Sequence, residues 1–214
     1  MIRAIFWDND GVLVDTERLY FQANREVFAA AGVSLSDRDY LELFLRQDKG
    51  AWHLLEARGV SAADIARLRD ERNERYTGLL SREARVIDGV TRALDALHGK
   101  FVMGIVSSSR RDHFDVIHAK TALLPYFDFV LTAGDFPRTK PHPDPYLLAI
   151  ERSGVHPDEC VAIEDSERGL EAATRAGIRC AVIPTALTRG CAFTGAHRVL
   201  SSVNEVPALC GVLE

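Results

Sequence analysis

Asp8, Asn9, Asp10 and Gly11 directly follow an apolar run, Ala4-Ile5-Phe6-Trp7. Carboxylates two residues apart at the end of an extended segment can face one site. Held that close, they repel each other and any bound phosphate unless a cation or a proton intervenes. A metal ion removes part of that conflict, and a division of labour removes the rest: one carboxylate attacks phosphorus while the other handles the proton. In this scheme Asp8 is the nucleophile and carries an aspartyl-phosphate. Asp10 protonates the leaving oxygen and then deprotonates the water that cleaves the intermediate, a role worth ~10²–10⁴-fold. Gly11 lets the backbone turn sharply beside the phosphate. A calcium loop also opens with Asp-x-Asp-Gly, but the later oxygen ligands and terminal Glu of such a loop are missing here.

Three further polar clusters close apolar runs. Ser107-Ser108-Ser109 follows residues 101–106, Gly134-Asp135 lies just beyond residues 127–131, and Glu164-Asp165-Ser166 follows residues 161–163. The Ser108 and Ser109 amides are expected to act as anion donors where a loop enters a helix. Glu164 and Asp165 are hard oxygen donors of the kind Mg²⁺ prefers. Lys140 sits in Thr139-Lys140-Pro141-His142-Pro143-Asp144-Pro145-Tyr146, whose prolines stiffen the loop that presents the ammonium. His113, His118 and His142 have no ligand partners at recognisable spacing.

These clusters need elements to bring them together. The apolar runs at 4–7, 101–106, 127–131, 161–163, 179–183 and 198–203 read as strands, and 89–97, 111–120, 145–153 and 168–176 as the helices between them. Alternation of this kind specifies an α/β fold with a Rossmann-like parallel sheet, in which ligands sit beyond the carboxyl ends of the strands. Residues 15–85 break the alternation with helical spacing throughout, as in Leu19, Ala23, Val27 and Phe28. The expected organisation is an α/β core of residues 1–14 and 86–214, interrupted by a small all-helical cap domain at 15–85.

The stretch from Asp8 to Glu17, then Ser107, Lys140 and Glu164-Asp165, resembles the four motifs of the haloacid dehalogenase superfamily in their order, with a cap-sized insertion after the first. The resemblance covers residues 2–184. It implies that Ser107 donates a hydroxyl to a phosphoryl oxygen, that Lys140 neutralises the phosphoryl group and the nucleophile, and that Asp165 binds Mg²⁺ with Asp8 and the backbone carbonyl of Asp10. Glu164 is then a further ligand or an acceptor for metal-bound water. Ser108 and Arg110 are expected at the substrate. Arg46, with Gln47 and Lys49, ends an apolar helical stretch where caps of similar proteins meet the leaving group. The cap is expected to close about residues 15–16 and 85–87.

Within the superfamily, Asp10 with Glu164 and Asp165 argues against a dehalogenase. Phosphonatases form a Schiff base on a cap lysine, and the flanks of Lys49 give no sign of that chemistry. A β-phosphoglucomutase-like isomerase is the nearest alternative; it carries a cap histidine where this chain has Tyr20. The implied activity is Mg²⁺-dependent hydrolysis of a small phosphorylated metabolite. A binding or regulatory protein that keeps the fold is disfavoured because every catalytic position holds a competent residue.

Composition agrees. The 214 residues, 47% of them hydrophobic, can bury a substantial core. A formal net charge of −5 without a Lys/Arg block argues against nucleic acid as a partner. Cys160, Cys180, Cys191 and Cys210 show no paired short spacing and read as reduced thiols, and no apolar run reaches membrane length. A soluble, cytoplasmic monomer is the expectation.

Overall fold

The computed structural model describes residues 1–46 and 50–212; Gln47 and Lys49 lie outside the described residues. The chain forms two compact units, Met1–Asp15 with Arg85–Glu214, and Thr16–Ala84.

The first unit is built on strands β1 (Ala4–Trp7), β2 (Val102–Arg110), β3 (Phe129–Ala133), β4 (Cys160–Glu164), β5 (Arg179–Val182) and β6 (Arg198–Val199). Ala4 and Phe6 pack with Tyr146 and Ala162 on one face of the sheet, while Ile5 and Trp7 pack with Leu94, Ile105 and Ile163 on the other. A strand buried on both faces must be apolar at every position, which is why β1 reads as a continuous run. The sheet order is β3-β2-β1-β4-β5-β6, and every pairing is parallel. The α/β architecture expected from the alternation is therefore present.

That order places the chemistry. The chain winds outward from β1 to β2 and β3, then returns to the other side of β1 as β4, so the winding direction reverses between β1 and β4. Such a reversal opens a crevice beyond the carboxyl ends of the two strands. Trp7 pairs with Ile163, and the Asp8 N–H donates to the Ile163 carbonyl at 2.9 Å, so both strands deliver their next residues at one level.

The helical unit comprises α1 (Glu17–Ala30), α2 (Asp37–Tyr40), a π-helical stretch (Leu41–Arg46), α3 (Trp52–Glu56) and α4 (Ala62–Glu83). Ser36 and Ser61 cap α2 and α4 by accepting the Asp39 and Asp64 amides. The Tyr20 ring lies edge-on to Tyr40, Phe44 and Tyr76, with centroids 6.4, 6.3 and 5.0 Å away. The Arg72 guanidinium stacks over Tyr20 and donates to its hydroxyl at 2.5 Å.

In the α/β unit, α5 (Val90–Leu97), α6 (Arg111–His118), α7 (Asp144–Ser153) and α8 (Glu167–Arg175) fall within two residues of their expected bounds. Two strands depart from expectation. Strand β2 runs on through Ser107, Ser108 and Ser109 to Arg110, with its pairing to β3 shifting between Val106 and Arg110. Those serines therefore belong to a strand end, and the Ser109 amide donates to Ser107 Oγ at 3.0 Å. The last expected strand, 198–203, shrinks to the two residues of β6 because the Ser202 hydroxyl accepts the Asn204 amide and starts a 3₁₀ turn. Among the described residues no helix is long and apolar enough to cross a membrane.

Candidate active site

Asp8 leaves β1 buried and meets Lys140, whose Nζ lies 2.7 Å from Asp8 Oδ1. The same ammonium is 2.7 Å from Glu164 Oε1 and donates to the Val106 carbonyl at 2.7 Å. Three acceptors use all three of its protons. Tyr146, in the first turn of α7, donates to Glu164 Oε1 at 2.5 Å and sets its ring 5.2 Å from the ammonium. Lysine, tyrosine and glutamate thus form one buried assembly beside Asp8.

Burial opposes charge in this pocket. Desolvation and the Glu164 carboxylate push the Asp8 carboxyl up to about 7, against the pull of the Lys140 ammonium. Burial by itself would lower the Lys140 value, but the Asp8 and Glu164 carboxylates more than reverse it and hold it above the ordinary lysine range. The amine stays protonated, and the carboxylates outnumber it.

Asp8, Glu164 and Asp165 each offer an oxygen, and these oxygens lie within 4.8 Å of one another. The backbone is drawn up against two of them. A Cβ on Gly11, at φ +84°, would stand 2.3 Å from Asp165 Oδ2, and one on Gly169 would stand 1.8 Å from Glu164 Oε2. Glu164 Oε2 is buried and accepts no hydrogen bond from the described residues. A buried, oxygen-only set with excess negative charge and an unsatisfied acceptor fits a small, hard dication. The Asp165 carbonyl is fixed by the Thr188 hydroxyl at 2.8 Å, and Ser166 caps α8 through the Gly169 amide.

Asp10 turns to other partners. Its Oδ2 receives Ser109 Oγ at 2.7 Å, Ser107 Oγ at 3.2 Å and Asn9 Nδ2 at 3.3 Å. Ser107 and Ser109 share a strand face, so the hydroxyl singled out for a phosphoryl oxygen is bonded to the Asp10 carboxylate. Ser108, on the alternate position, has a buried hydroxyl with no partner among the described residues. Arg110 is exposed and grips Asp112 through bonds of 3.0 and 2.7 Å. Arg46 belongs to the helical unit, where Nη1 pairs with Glu42 at 2.5 Å.

The structure adds Asn9, Tyr146, Thr188 and the hydroxyl of Ser109, expected from sequence only for its backbone amide, to the candidate site. Ser109 could have been found, since its i+2 spacing from Ser107 on a strand repeats the Asp8/Asp10 logic. Nothing in the spacing of Tyr146 points to a carboxylate 18 positions away, nor that of Thr188 to a backbone carbonyl 23 positions away.

Two outcomes follow from the charge balance. Lys140→Met is expected to lower the stability of the cation-free protein by about 3–5 kcal/mol in denaturant unfolding, because Asp8 and Glu164 would stay buried without their countercharge. Wild-type stability would rule this out. Asp8 should also couple cation binding to proton release. With its folded value near 7 and an unfolded value near 4, the folded state binds the extra proton between those limits, so Asp8 costs stability progressively as pH rises through that window. A dication must displace that proton. Calorimetric titration at pH 6 in buffers of different ionisation heat is expected to show up to about one proton released, vanishing above about pH 8 and absent in Asp8→Asn. Equal release at both pH values would contradict it.

Residues 5–183 match the haloacid dehalogenase-like hydrolase family. The chain is 34% identical over 207 residues to protein CbbY of Rhodobacter capsulatus, covering 91% of each chain. It is 30% identical to hexitol phosphatase B of Escherichia coli K12, covering 97% of this chain and 95% of that one. Among solved structures, CbbY from Rhodobacter sphaeroides in complex with phosphate superposes with a TM-score of 0.79 at 30% identity, covering 99% of both chains. With most of its length matched and the motif residues gathered at the β1/β4 crevice, the chain belongs to the haloacid dehalogenase-like hydrolases.

Proposed function

We propose that this protein is a phosphatase of small phosphorylated sugars that uses Mg²⁺ and passes through an aspartyl-phosphate on Asp8. The observation that carries this reading is the contact of Asp8 with a buried, protonated lysine in a cluster of three carboxylates. An aspartate so held can meet an anionic phosphate without prohibitive repulsion. The sugar-phosphate class rests on relatives such as hexitol phosphatase B.

Asp8, Asp165, Glu164 and the Asp10 carbonyl would hold Mg²⁺, which supplies positive charge against the phosphoryl oxygens. Lys140 fixes one oxygen of Asp8, so the carboxylate presents its other oxygen to phosphorus. As the Asp8 O–P bond forms and the ester P–O bond breaks, Asp10 gives its proton to the departing sugar oxygen. Water then attacks the aspartyl-phosphate, its proton passes to Asp10, and the Asp8 O–P bond breaks to free phosphate. Ser107 and Ser109 hold the Asp10 carboxyl group in place through both steps.

The cap histidine of the mutase-like alternative has no counterpart here: the Tyr20 hydroxyl at that position is engaged by Arg72 within the helical unit. That favours hydrolysis.

The test is phosphate release from hexitol and other sugar phosphates with and without Mg²⁺, alongside conversion of glucose 1-phosphate to glucose 6-phosphate. Wild type is expected to release phosphate only with the cation. Asp10→Asn should lose about 10²–10⁴-fold in kcat, and Asp8→Asn all turnover. Wild-type rates in Asp8→Asn, or isomerisation outpacing release, would overturn the proposal.

A further inference from the structure

Between the two catalytic aspartates lies Asn9, fully buried. Its backbone carbonyl accepts the Leu13 and Val14 amides at 2.9 and 3.1 Å, closing the turn after β1. Its side chain reaches two partners: Nδ2 lies 3.3 Å from Asp10 Oδ2, and Oδ1 lies 2.8 Å from Nε2 of His118, the last residue of α6. His118 is itself buried, its ring 4.3 Å from that of Phe114, and its Nδ1 lies 2.8 Å from the Thr121 hydroxyl.

Chemistry fixes the polarity of this chain. The Asn9 oxygen can only accept, so His118 must carry a proton on Nε2. The reverse amide orientation would aim the Asn9 oxygen at the Asp10 carboxylate, acceptor against acceptor. Burial lowers the His118 value to about 4, which leaves a neutral ring whose Nδ1 accepts the Thr121 hydroxyl proton. Every hydrogen bond then points the same way, from Thr121 to His118 to Asn9 to Asp10. An imidazolium would still donate from Nε2, so the direction of the Asn9 contact does not depend on the charge of the ring.

We infer that His118 and Asn9 are positioning residues that hold the Asp10 carboxyl group in the orientation its acid/base role requires. This rests on the proposed role of Asp10. An amide does not relay protons, so the contribution is geometric: His118 locks the Asn9 amide, and Asn9 joins Ser107 and Ser109 in fixing one oxygen of Asp10. The reach from α6 to the first strand loop ties the acid/base group to a rigid element of the core. Positioning of this kind should matter most where the leaving oxygen needs a proton.

The experiment compares the full-length protein with His118→Leu, His118→Gln and Asn9→Leu on two substrates, a hexitol phosphate with an alkoxide leaving group and p-nitrophenyl phosphate, whose phenolate leaves readily without a proton. His118→Leu and Asn9→Leu are each expected to lower kcat/KM, which reports formation of the aspartyl-phosphate and not its hydrolysis, on the hexitol ester by about tenfold or more, with a much smaller effect on the nitrophenyl ester. His118→Gln, which retains an N–H donor, should recover most of the loss. The double variant should be no worse than either single variant, because both break the same chain. Equal losses of kcat/KM on both esters would reduce His118 to a packing residue and overturn the inference. So would wild-type kcat/KM on the hexitol ester in the Leu variants. Nitrogen-15 NMR of the wild type tests the same point without a substitution: a ring with its proton on Nδ1 alone would refute the Thr121-to-Asp10 polarity. If Asp8→Asn kept its activity, the phosphatase reading would fail instead. If that variant were inactive while the Leu variants matched wild type, only the positioning role would be lost.

Discussion

Like charges are forced together in a place that water barely reaches. Asp8, Glu164 and Asp165 bring their carboxylates to one buried point, and Lys140 supplies a single countercharge. Nothing in the core gains stability from this: a buried ion pair at best breaks even against apolar packing, and an unbalanced cluster is worse. The arrangement is explicable as a receptacle for a positive ion and a negative substrate, whose arrival completes the charge balance. Stability is lowered locally so that binding can restore it.

The sheet makes such a cluster feasible. Both layers of core lie against β1 and β4, so the strand ends cannot splay apart to relieve repulsion. The glycines at 11 and 169 remove the side chains that would otherwise separate the carboxylates from the backbone beside them. Ala93, Leu94 and Leu97 on one side, and Ala149, Ala172 and Ala173 on the other, supply the apolar contact that offsets the electrostatic cost.

Much of this is legible in the chain because it depends on local features. A buried strand writes itself as an unbroken apolar run, and a residue that must be polar at its end stands out by contrast, as Asp8, Ser107 and Glu164 do. What escapes is contact between distant segments. The partnership of Tyr146 with Glu164 and that of His118 with Asn9 depend on helix packing, which fixes no sequence interval. The end of β2 is hard to read for a different reason: a serine run resembles a loop, yet the strand runs on to Arg110, with the Ser107 and Ser109 hydroxyls bonded to Asp10. The two-residue β6 reflects competition from the Ser202 cap, a local bond that outweighs the β-forming valines around it.

In the proposed mechanism, the contrast between Asp8 and Asp10 explains how neighbouring carboxylates can serve opposite ends of one reaction. Asp8 is held by an ammonium, which can only donate, so this contact rewards the ionised form that a nucleophile requires. Asp10 is held by the hydroxyls of Ser107 and Ser109, which can donate to a carboxylate or rotate to accept from a carboxylic acid. Partners of that kind tolerate both protonation states without moving a heavy atom, as a group that gives and regains a proton in each turnover requires. Asn9 adds a contact to Asp10 that cannot rotate freely, since His118 grips the other end of its amide. The two hydroxyls thus allow the proton to come and go, while the amide keeps the carboxyl group from turning with it.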